Sequence, residues 1–407
     1  MTTIIENYIF MYPLVMSMIW IIGGLIFYFT KERKALPELV EYPPMSILIP
    51  CFNEAENIAE VIGHLDKLNY ERYEIIAIND GSTDDTVSIL KELMQKYKRL
   101  RVVNLKKNAG KANALYQGLI ASKYEILVTI DADSFLDSEA LRYFAPHFKA
   151  NHYGERVGAV TGNPRVRNRS SLLAKIQLCE YSSIISLIKR TQRVLGKVMT
   201  VSGVVAAFRK SALLDCGLWD KDLITDDIGV SWKLQRRFWD VRYEPRALCW
   251  MLVPETFKGL FKQRIRWAQG GIEVLIRHKD ILKDWKNRRL IPIYIEELLS
   301  IIWAILWIIY FAYTIIYFIV NKNIYYPMSW GGFYLATVCI IQFLVSMILD
   351  RKYDYNFFRY YFWAIWYPLF YWYFNAIIVC IALPKALLAY GKHESATWDS
   401  PDRGLKS

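Results

Sequence analysis

Val128-Thr129-Ile130-Asp131-Ala132-Asp133 decides how the chain is read. An apolar run with the character of a buried strand stops at two carboxylates one residue apart. In extended backbone, side chains at i and i+2 point the same way. Asp131 and Asp133 are therefore expected to face the crevice beyond the strand's C-terminal edge, where open α/β sheets bind ligands. Oxygen donors suit hard cations, and Mg²⁺ commonly takes one or two carboxylates together with substrate phosphates. The spacing thus suits a metal and a nucleotide diphosphate. Such pairs also occur in ordinary solvated turns, so the flanking chain has to supply the context.

Working outward, strand-like and helical runs alternate from Met45 to about Tyr243. The strand-like runs are Ser46–Pro50, Glu74–Asn79, Arg101–Leu105, Glu125–Ile130 and Val157–Thr161. Helical stretches between them include Ala55–Lys67, Asp84–Lys96 and Gly110–Ala121. This alternation predicts a mostly parallel sheet with helices on both faces, an α/β Rossmann-like domain. Three of the strands end in polar clusters: Pro50-Cys51-Phe52-Asn53-Glu54, Asn79-Asp80-Gly81-Ser82-Thr83-Asp84, and Asp131-Ala132-Asp133. Each alone is compatible with turn chemistry or capping, most simply at Asp84. Three in succession at strand C-termini describe a ligand crevice. Asn108-Ala109-Gly110-Lys111 adds a glycine turn, a helix N-terminus and a lysine, which suit a phosphate, although the Walker A spacing is absent.

Further along, Ile224-Thr225-Asp226-Asp227-Ile228 opens a helical stretch, Gly229–Arg237. Thr225 or Asp226 fits an N-cap, and the acids are also candidates for a general base. Phe257–Ile276 is amphipathic and contains Gln263-Arg264-Ile265-Arg266-Trp267. Its arginines and tryptophan suit phosphate binding and sugar stacking, or the snorkelling cations of an interfacial helix. Residues 170–200 are amphipathic and basic, fit either for a membrane surface or for packing on the sheet.

The flanks are apolar. Tyr8–Phe29 carries no charge and meets the roughly 20 residues that span a bilayer. A signal peptide would carry a basic leading region and a small-residue cleavage site, which this stretch lacks. Lys31, Arg33 and Lys34 follow it, so the positive-inside rule places the middle of the chain in the cytoplasm. Pro37, Pro43 and Pro44 mark a linker. Leu298–Val320, Phe333–Leu349 and Tyr360–Pro384 are further uncharged segments. A single crossing by the last would put the basic tail outside, whereas a break near Pro368 would keep it inside, so four or five spans are open. The organisation expected is a transmembrane helix at 8–29, a cytosolic domain at 45–255, interfacial helices at 256–290, a membrane region at 293–388 and a tail at 389–407. The net charge is +12, but its cations are scattered and flank apolar segments. That favours a membrane surface and phosphate over nucleic acid, for which no basic stripe with interleaved aromatics exists. The six cysteines and five histidines show neither disulfide nor zinc spacing.

Asn53-Glu54, Asp80-Gly81-Ser82, Asp131–Asp133, Thr225-Asp226-Asp227 and Gln263–Trp267, in that order and between apolar flanks, resemble the processive, membrane-embedded family 2 glycosyltransferases with a GT-A fold. Cellulose, chitin and hyaluronan synthases share this set. Gly110–Leu115, Thr161-Gly162-Asn163-Pro164-Arg165, Glu180-Tyr181, Tyr243-Glu244-Pro245, Met251–Thr256, Trp267-Ala268-Gln269-Gly270-Gly271 and the tail Ser400–Gly404 are similar to the bacterial branch that builds β-1,6-linked N-acetylglucosamine polymers. The resemblance implies an inverting transfer from UDP-N-acetylglucosamine to a growing polysaccharide chain. It implies Mg²⁺ or Mn²⁺ at Asp133 and Asp131, and Asp227 as the base. Pro50, Asn53, Glu54, Asp80, Lys111, Asp131, Arg264 and Arg266 would hold the nucleotide sugar. Ser202, Gly203, Thr225, Asp226, Gln263 and Trp267 would hold the acceptor. The lipid bilayer and a small membrane accessory subunit are the implied partners. Two positions depart from the family pattern: Asp226 stands where Glu is usual, and Asn79 where many relatives carry Asp. The alternatives are a chitin- or hyaluronan-type synthase, which linkage analysis separates, and a non-catalytic nucleotide-sugar receptor, which fits poorly with both Asp133 and Asp227 present.

Overall fold

The computed structural model describes residues 2–149, 156–323, 331–354, 356–364 and 366–389. They fall into two compact units. One contains Glu32–Arg169 and Lys197–Gly259, the other Met1–Lys31, Ser170–Gly196 and Leu260–Tyr390. The tail motif Ser400–Gly404 lies outside the described residues.

The first unit is built on an eight-stranded sheet: β1 (Met45–Cys51), β2 (Tyr73–Asp80), β3 (Leu100–Leu105), β4 (Ile126–Ile130), β5 (Phe135–Leu136), β6 (Val157–Val166), β7 (Val205–Arg209) and β8 (Asp240–Met251). Its order is β3-β2-β1-β4-β7-β6-β8-β5. The half from β3 to β4 is parallel, β7 is antiparallel to both of its neighbours, and β6 and β8 run parallel. The mostly parallel expectation therefore holds. Apolar cores lie on both faces: Ile47, Ile49, Val128 and Ile130 enter one, and Leu48, Ile76, Ile78 and Leu127 the other. Burial on both faces is why these strands read as continuous apolar runs.

Strand order places the site. β1→β2→β3 builds outward in one direction, and β4 then returns to the other side of β1. The C-terminal ends of β1 and β4 therefore flank a topological switch point, where a crevice opens. The β1–β4 ladder ends at Leu48↔Thr129, just before Pro50, which has no N–H to donate. Because β7 runs antiparallel to β4, pairing of Ile130 with Val205 brings the turn ahead of β7 beside Asp131. β5, β7 and β8 are additions to the strands expected from the sequence. β8 was concealed by Pro245, which argues against a strand. In the structure the β6–β8 register slips between Thr161 and Asn163, whose partners are Tyr243 and Leu248, so the proline sits in a bulge.

The second unit is helical. Among the described residues four helices are long and apolar enough to cross a membrane: Ile4–Glu32, Trp285–Asn321, Gly332–Tyr353 and Phe370–Ala389. The segment expected at Tyr360–Pro384 is divided into a short helix, Tyr361–Ala364, and a long one, Tyr367–Ala389. Pro368 is the second residue of the long helix, where a missing N–H is tolerated. The basic 170–200 stretch is a helix from Leu172 to Leu195 with a π-helical turn at Tyr181–Ser186. It packs on the apolar helices of its own unit. Thr191 Oγ1 donates to the Trp20 carbonyl at 2.8 Å. Arg190 pairs with Asp350 at 2.8 Å with both side chains fully buried, and Ser182 donates to the same carboxylate. Lys189 and Arg190 are thus interior cations.

Candidate active site

Three loops at the parallel end are tied together by side-chain to backbone bonds. The register Cys51↔Asn79 sets the loop after β1 against the loop after β2. Asn53, at φ 55, is in a left-handed conformation that asparagine tolerates. Its N–H donates to Ser82 Oγ and its Oδ1 accepts from the Thr83 N–H. The Glu54 N–H donates to Thr86 Oγ1, and the Ala55 N–H to Asp84 Oδ2. The cap position of the following helix, Thr86–Lys96, is Asp85, and Asp84, expected as a simple cap, instead accepts from the Thr86 N–H and joins the two loops. Asp80 accepts from the N–H groups of Ala109 and Gly110 at 3.1 and 2.8 Å, which fixes the loop that leads to Lys111. Burial lifts the Asp80 carboxyl above the usual range, against the pull of these two donors. Gly81 is required here: it has φ +69, and a Cβ would meet the Asn108 nitrogen at 2.6 Å.

The acids follow β4, though not as extended backbone. The strand stops at Ile130 and the Ser134 N–H donates to the Asp131 carbonyl, so residues 131–134 form a turn. Alternation along a strand therefore does not orient the two carboxylates, as the sequence had led us to expect. Asp133 is buried and accepts from Ser134 Oγ at 3.0 Å. Both acids lie near the buried thiol of Cys249, which burial first, and then their charges, pushes up.

Lys111 joins this turn to the rest of the site. Its Nζ is 2.5 Å from Asp131 Oδ1 and 3.0 Å from the carbonyl oxygen of Gly203. Gly203 in turn donates its N–H to Asp227 Oδ2 at 3.1 Å, and Asp227 Oδ1 accepts the Ile228 N–H at 2.9 Å. Burial opposes the lysine's charge, yet Asp131, Asp226 and Asp227 together hold the ammonium above the usual lysine range. Asp131, Lys111, Gly203, Asp226 and Asp227 thus form one cluster, although they are far apart in the chain. Behind it, the buried Thr161 hydroxyl accepts the Ser202 N–H at 2.8 Å. Thr225 takes the cap position of the helix Asp226–Arg236 but makes no side-chain cap bond. Its buried hydroxyl has no hydrogen-bond partner among the described residues.

Gln263, Arg264, Arg266 and Trp267 stand on the helix Phe257–Arg277, within the helical unit. Arg264 does not snorkel. It is buried, pairs with Glu180 at 3.0 Å, and lies over the Trp267 ring at 4.2 Å. Tyr181 meets the same ring edge-on at 6.4 Å. The Glu180-Tyr181 motif, which carried no role in the sequence, thus sits beside the arginine and tryptophan.

No group of three or more His, Cys, Asp or Glu side chains placed to hold a metal ion occurs among the described residues. The protein offers two carboxylates, which is the donor set Mg²⁺ uses when phosphates and water complete its shell. A cation already sits against one of them, the Lys111 ammonium. Asp131 and Asp133 therefore fit a divalent ion by donor chemistry.

Residues 43–270 match the family described as glycosyltransferase like family 2. Over 414 residues the chain is 42% identical to the poly-beta-1,6-N-acetyl-D-glucosamine synthase of Staphylococcus epidermidis, covering 98% of each. A synthase of the same name from Staphylococcus aureus strain COL is 42% identical over 412 residues, again with 98% of each covered. Among solved structures, the mannosyltransferase PcManGT from Pyrobaculum calidifontis, in complex with GDP-Man and Mn²⁺, matches with a TM-score of 0.60 at 18% identity. The match covers 95% of this chain and 99% of that one, and shares the fold. With its GT-A-like sheet and long apolar helices, the chain belongs to the family 2 glycosyltransferases.

Proposed function

We propose that the chain polymerises N-acetylglucosamine from UDP-N-acetylglucosamine into a β-1,6-linked polysaccharide. It also helps to carry the product across the cytoplasmic membrane, as a biofilm exopolysaccharide. The near full-length similarity to synthases of that name supports the substrate and linkage. The observation that most supports the chemistry is the continuous link Asp131–Lys111–Gly203–Asp227, which sets a carboxylate that can take a proton beside a strand-end acid.

The donor is α-linked and the product β-linked, so one inverting displacement suffices. Asp227 takes the proton from the acceptor's 6-hydroxyl as its oxygen bonds to the anomeric carbon and the bond to UDP breaks. This needs hydrogen-bond reach of about 2.6–3.2 Å and contributes typically about 10²–10⁴-fold. The N–H groups of Gly203 and Ile228 orient the base. A divalent ion, Mg²⁺ or Mn²⁺, held by Asp133 with Asp131, would supply Lewis-acid stabilisation of the leaving diphosphate. Lys111 adds positive charge for the donor, and Arg264 and Arg266, the motif arginines expected to serve it, stand on the helix Phe257–Arg277, where Arg264 is paired with Glu180. Pro50, Asn53, Glu54 and Asp80 shape the nucleotide pocket. Ser202, Gly203, Thr225 and Asp226 receive the acceptor, with the Thr225 hydroxyl, unpartnered among the described residues, in support, and Gln263 and Trp267 are the motif residues expected to serve the acceptor from the helix Phe257–Arg277.

The enzyme is a multi-pass protein of the cell membrane with its sheet domain in the cytoplasm, following the cations after the first apolar helix. The domain at 45–255, the amphipathic segment at 256–290 and the membrane region at 293–388 divide the work into transfer, acceptor contact and passage. A small membrane accessory subunit completes the assembly. Incubating purified protein in nanodiscs with labelled UDP-N-acetylglucosamine and Mg²⁺, followed by linkage analysis, tests the proposal. A polymer cut by chitinase but not by a β-1,6-hexosaminidase would replace it with a chitin-type synthase, and no UDP release at all would remove the enzyme.

A further inference from the structure

Lys111 stands where a metal ligand's cation belongs. Its ammonium is 2.5 Å from Asp131 Oδ1, and the two side chains are only 17% and 22% exposed. Its second partner is the Gly203 carbonyl oxygen at 3.0 Å. A Mg²⁺–oxygen bond is about 2.0–2.1 Å long. An ammonium at its present distance and a divalent ion on the same carboxylate would therefore face each other across one small group as like charges. Lysine is charged at neutral pH, and the Asp131 carboxylate accepts from it directly. Lysine can also move, since its charge is a compact point on a flexible four-carbon stem.

We propose that Lys111 is a resident counter-cation: it occupies Asp131 in the nucleotide-free enzyme and withdraws to the donor's diphosphate when the metal–nucleotide complex binds. This rests on the cation site proposed above. Without a diphosphate to receive it, the displaced ammonium is left beside a divalent charge, so metal alone binds weakly. With a diphosphate present, phosphate oxygens accept the ammonium and the carboxylate is released to the metal. Metal and nucleotide binding are then positively coupled, and the coupling is reciprocal. Gly203 extends it, since its carbonyl loses the lysine while its N–H still holds Asp227.

The test is Mn²⁺ titration of the full-length protein in detergent, followed by the electron paramagnetic resonance signal of free Mn²⁺, with and without UDP and corrected for Mn²⁺ bound by UDP itself. In the wild type, UDP is expected to tighten Mn²⁺ binding by about tenfold or more. Lys111→Gln, near in length and uncharged, is expected to bind Mn²⁺ about tenfold more tightly without nucleotide and to show a correspondingly smaller UDP effect, because the diphosphate still supplies ligands to the metal. Lys111→Arg keeps the charge and the weak nucleotide-free binding. Unchanged or weaker nucleotide-free Mn²⁺ affinity in Lys111→Gln overturns the proposal. If that variant does not fold, Lys111→Met, equally uncharged, takes its place in the same comparison, and equal affinity with and without UDP in the wild type removes the counter-cation. If the wild type takes up no Mn²⁺ even with UDP, the cation site itself fails, an outcome distinct from a site that binds metal but ignores Lys111.

Discussion

At the scale of single residues, Asp227 and Gly203 are interdependent. The glycine's N–H orients the carboxylate, and a Cβ at position 203 would stand 3.1 Å from Asp227 Oδ2. Gly203→Ala is expected to leave the fold intact and displace the base slightly, lowering the transfer rate by about 10²-fold. Turnover measured beside a melting curve checks this, and a normal rate would show that the base does not depend on the turn. Asp227→Asn is expected to abolish polymer formation while UDP binding stays near normal. Radiolabelled product and a UDP binding isotherm, measured on one preparation, separate the two. Glu244 carries a prediction about stability. It is buried, and although burial alone would raise its carboxyl, His147 and Arg246 bring it down to about 2. Because the folded value lies below the ordinary glutamate value of about 4.3, its stabilisation is present above that pH. It is lost as pH falls towards 2. Glu244→Gln should destabilise by about 3 kcal/mol at neutral pH and flatten the melting temperature between about pH 4.3 and 2.

At the scale of elements, the helix Phe257–Arg277 and the π-helical turn after Glu180 belong together. A π-turn is often found where function requires a side chain out of regular register. Here the preceding helix ends on Glu180, which neutralises Arg264, while Tyr181 meets Trp267. Removing one member of a buried pair leaves an uncompensated charge, so Glu180→Gln should destabilise by about 3 kcal/mol. Replacing both residues by neutral ones should restore much of that stability, yet leave polymerisation impaired if Arg264 serves the donor. Thermal unfolding and UDP release, compared across the single and double variants, separate packing from chemistry. A double variant with full turnover would confine Arg264 to a structural role. The bulge at Glu244–Ala247 is the counterpart in the sheet. Arg246 reaches from it to the Lys34 carbonyl at 3.0 Å, which fastens the incoming chain to β8 within the sheet unit.

At the scale of the whole molecule, one chain combines a crevice-bearing sheet with, among the described residues, four helices of membrane-crossing length. A site with only two carboxylates depends on the substrate for the remaining ligands of any metal. EDTA should therefore stop transfer, and added Mg²⁺ or Mn²⁺ should restore it. Transfer that persists in EDTA would remove the metal from Asp133. All six cysteines are free, so reducing agents should leave this cycle unaffected.

What the sequence determined by itself is the local character of the chain. Apolar runs with polar ends made β1, β2 and β4 legible, because burial on both faces leaves no polar positions inside a strand. Unbroken hydrophobic stretches likewise marked the long helices. The order of short motifs also carried the family. Tertiary structure decided which of these residues meet. The pairing of Ile130 with Val205 sets Gly203 between Lys111 and Asp227, and no spacing along the chain encodes an antiparallel strand inserted beside β4. It also turned Asp131 towards a lysine, used Asp80 to hold a loop, and gave Arg264 a buried carboxylate. The physical reason is common to these cases. Periodicity reports which face of an element is apolar, whereas the partner of a charged side chain is set by contacts between elements distant in sequence.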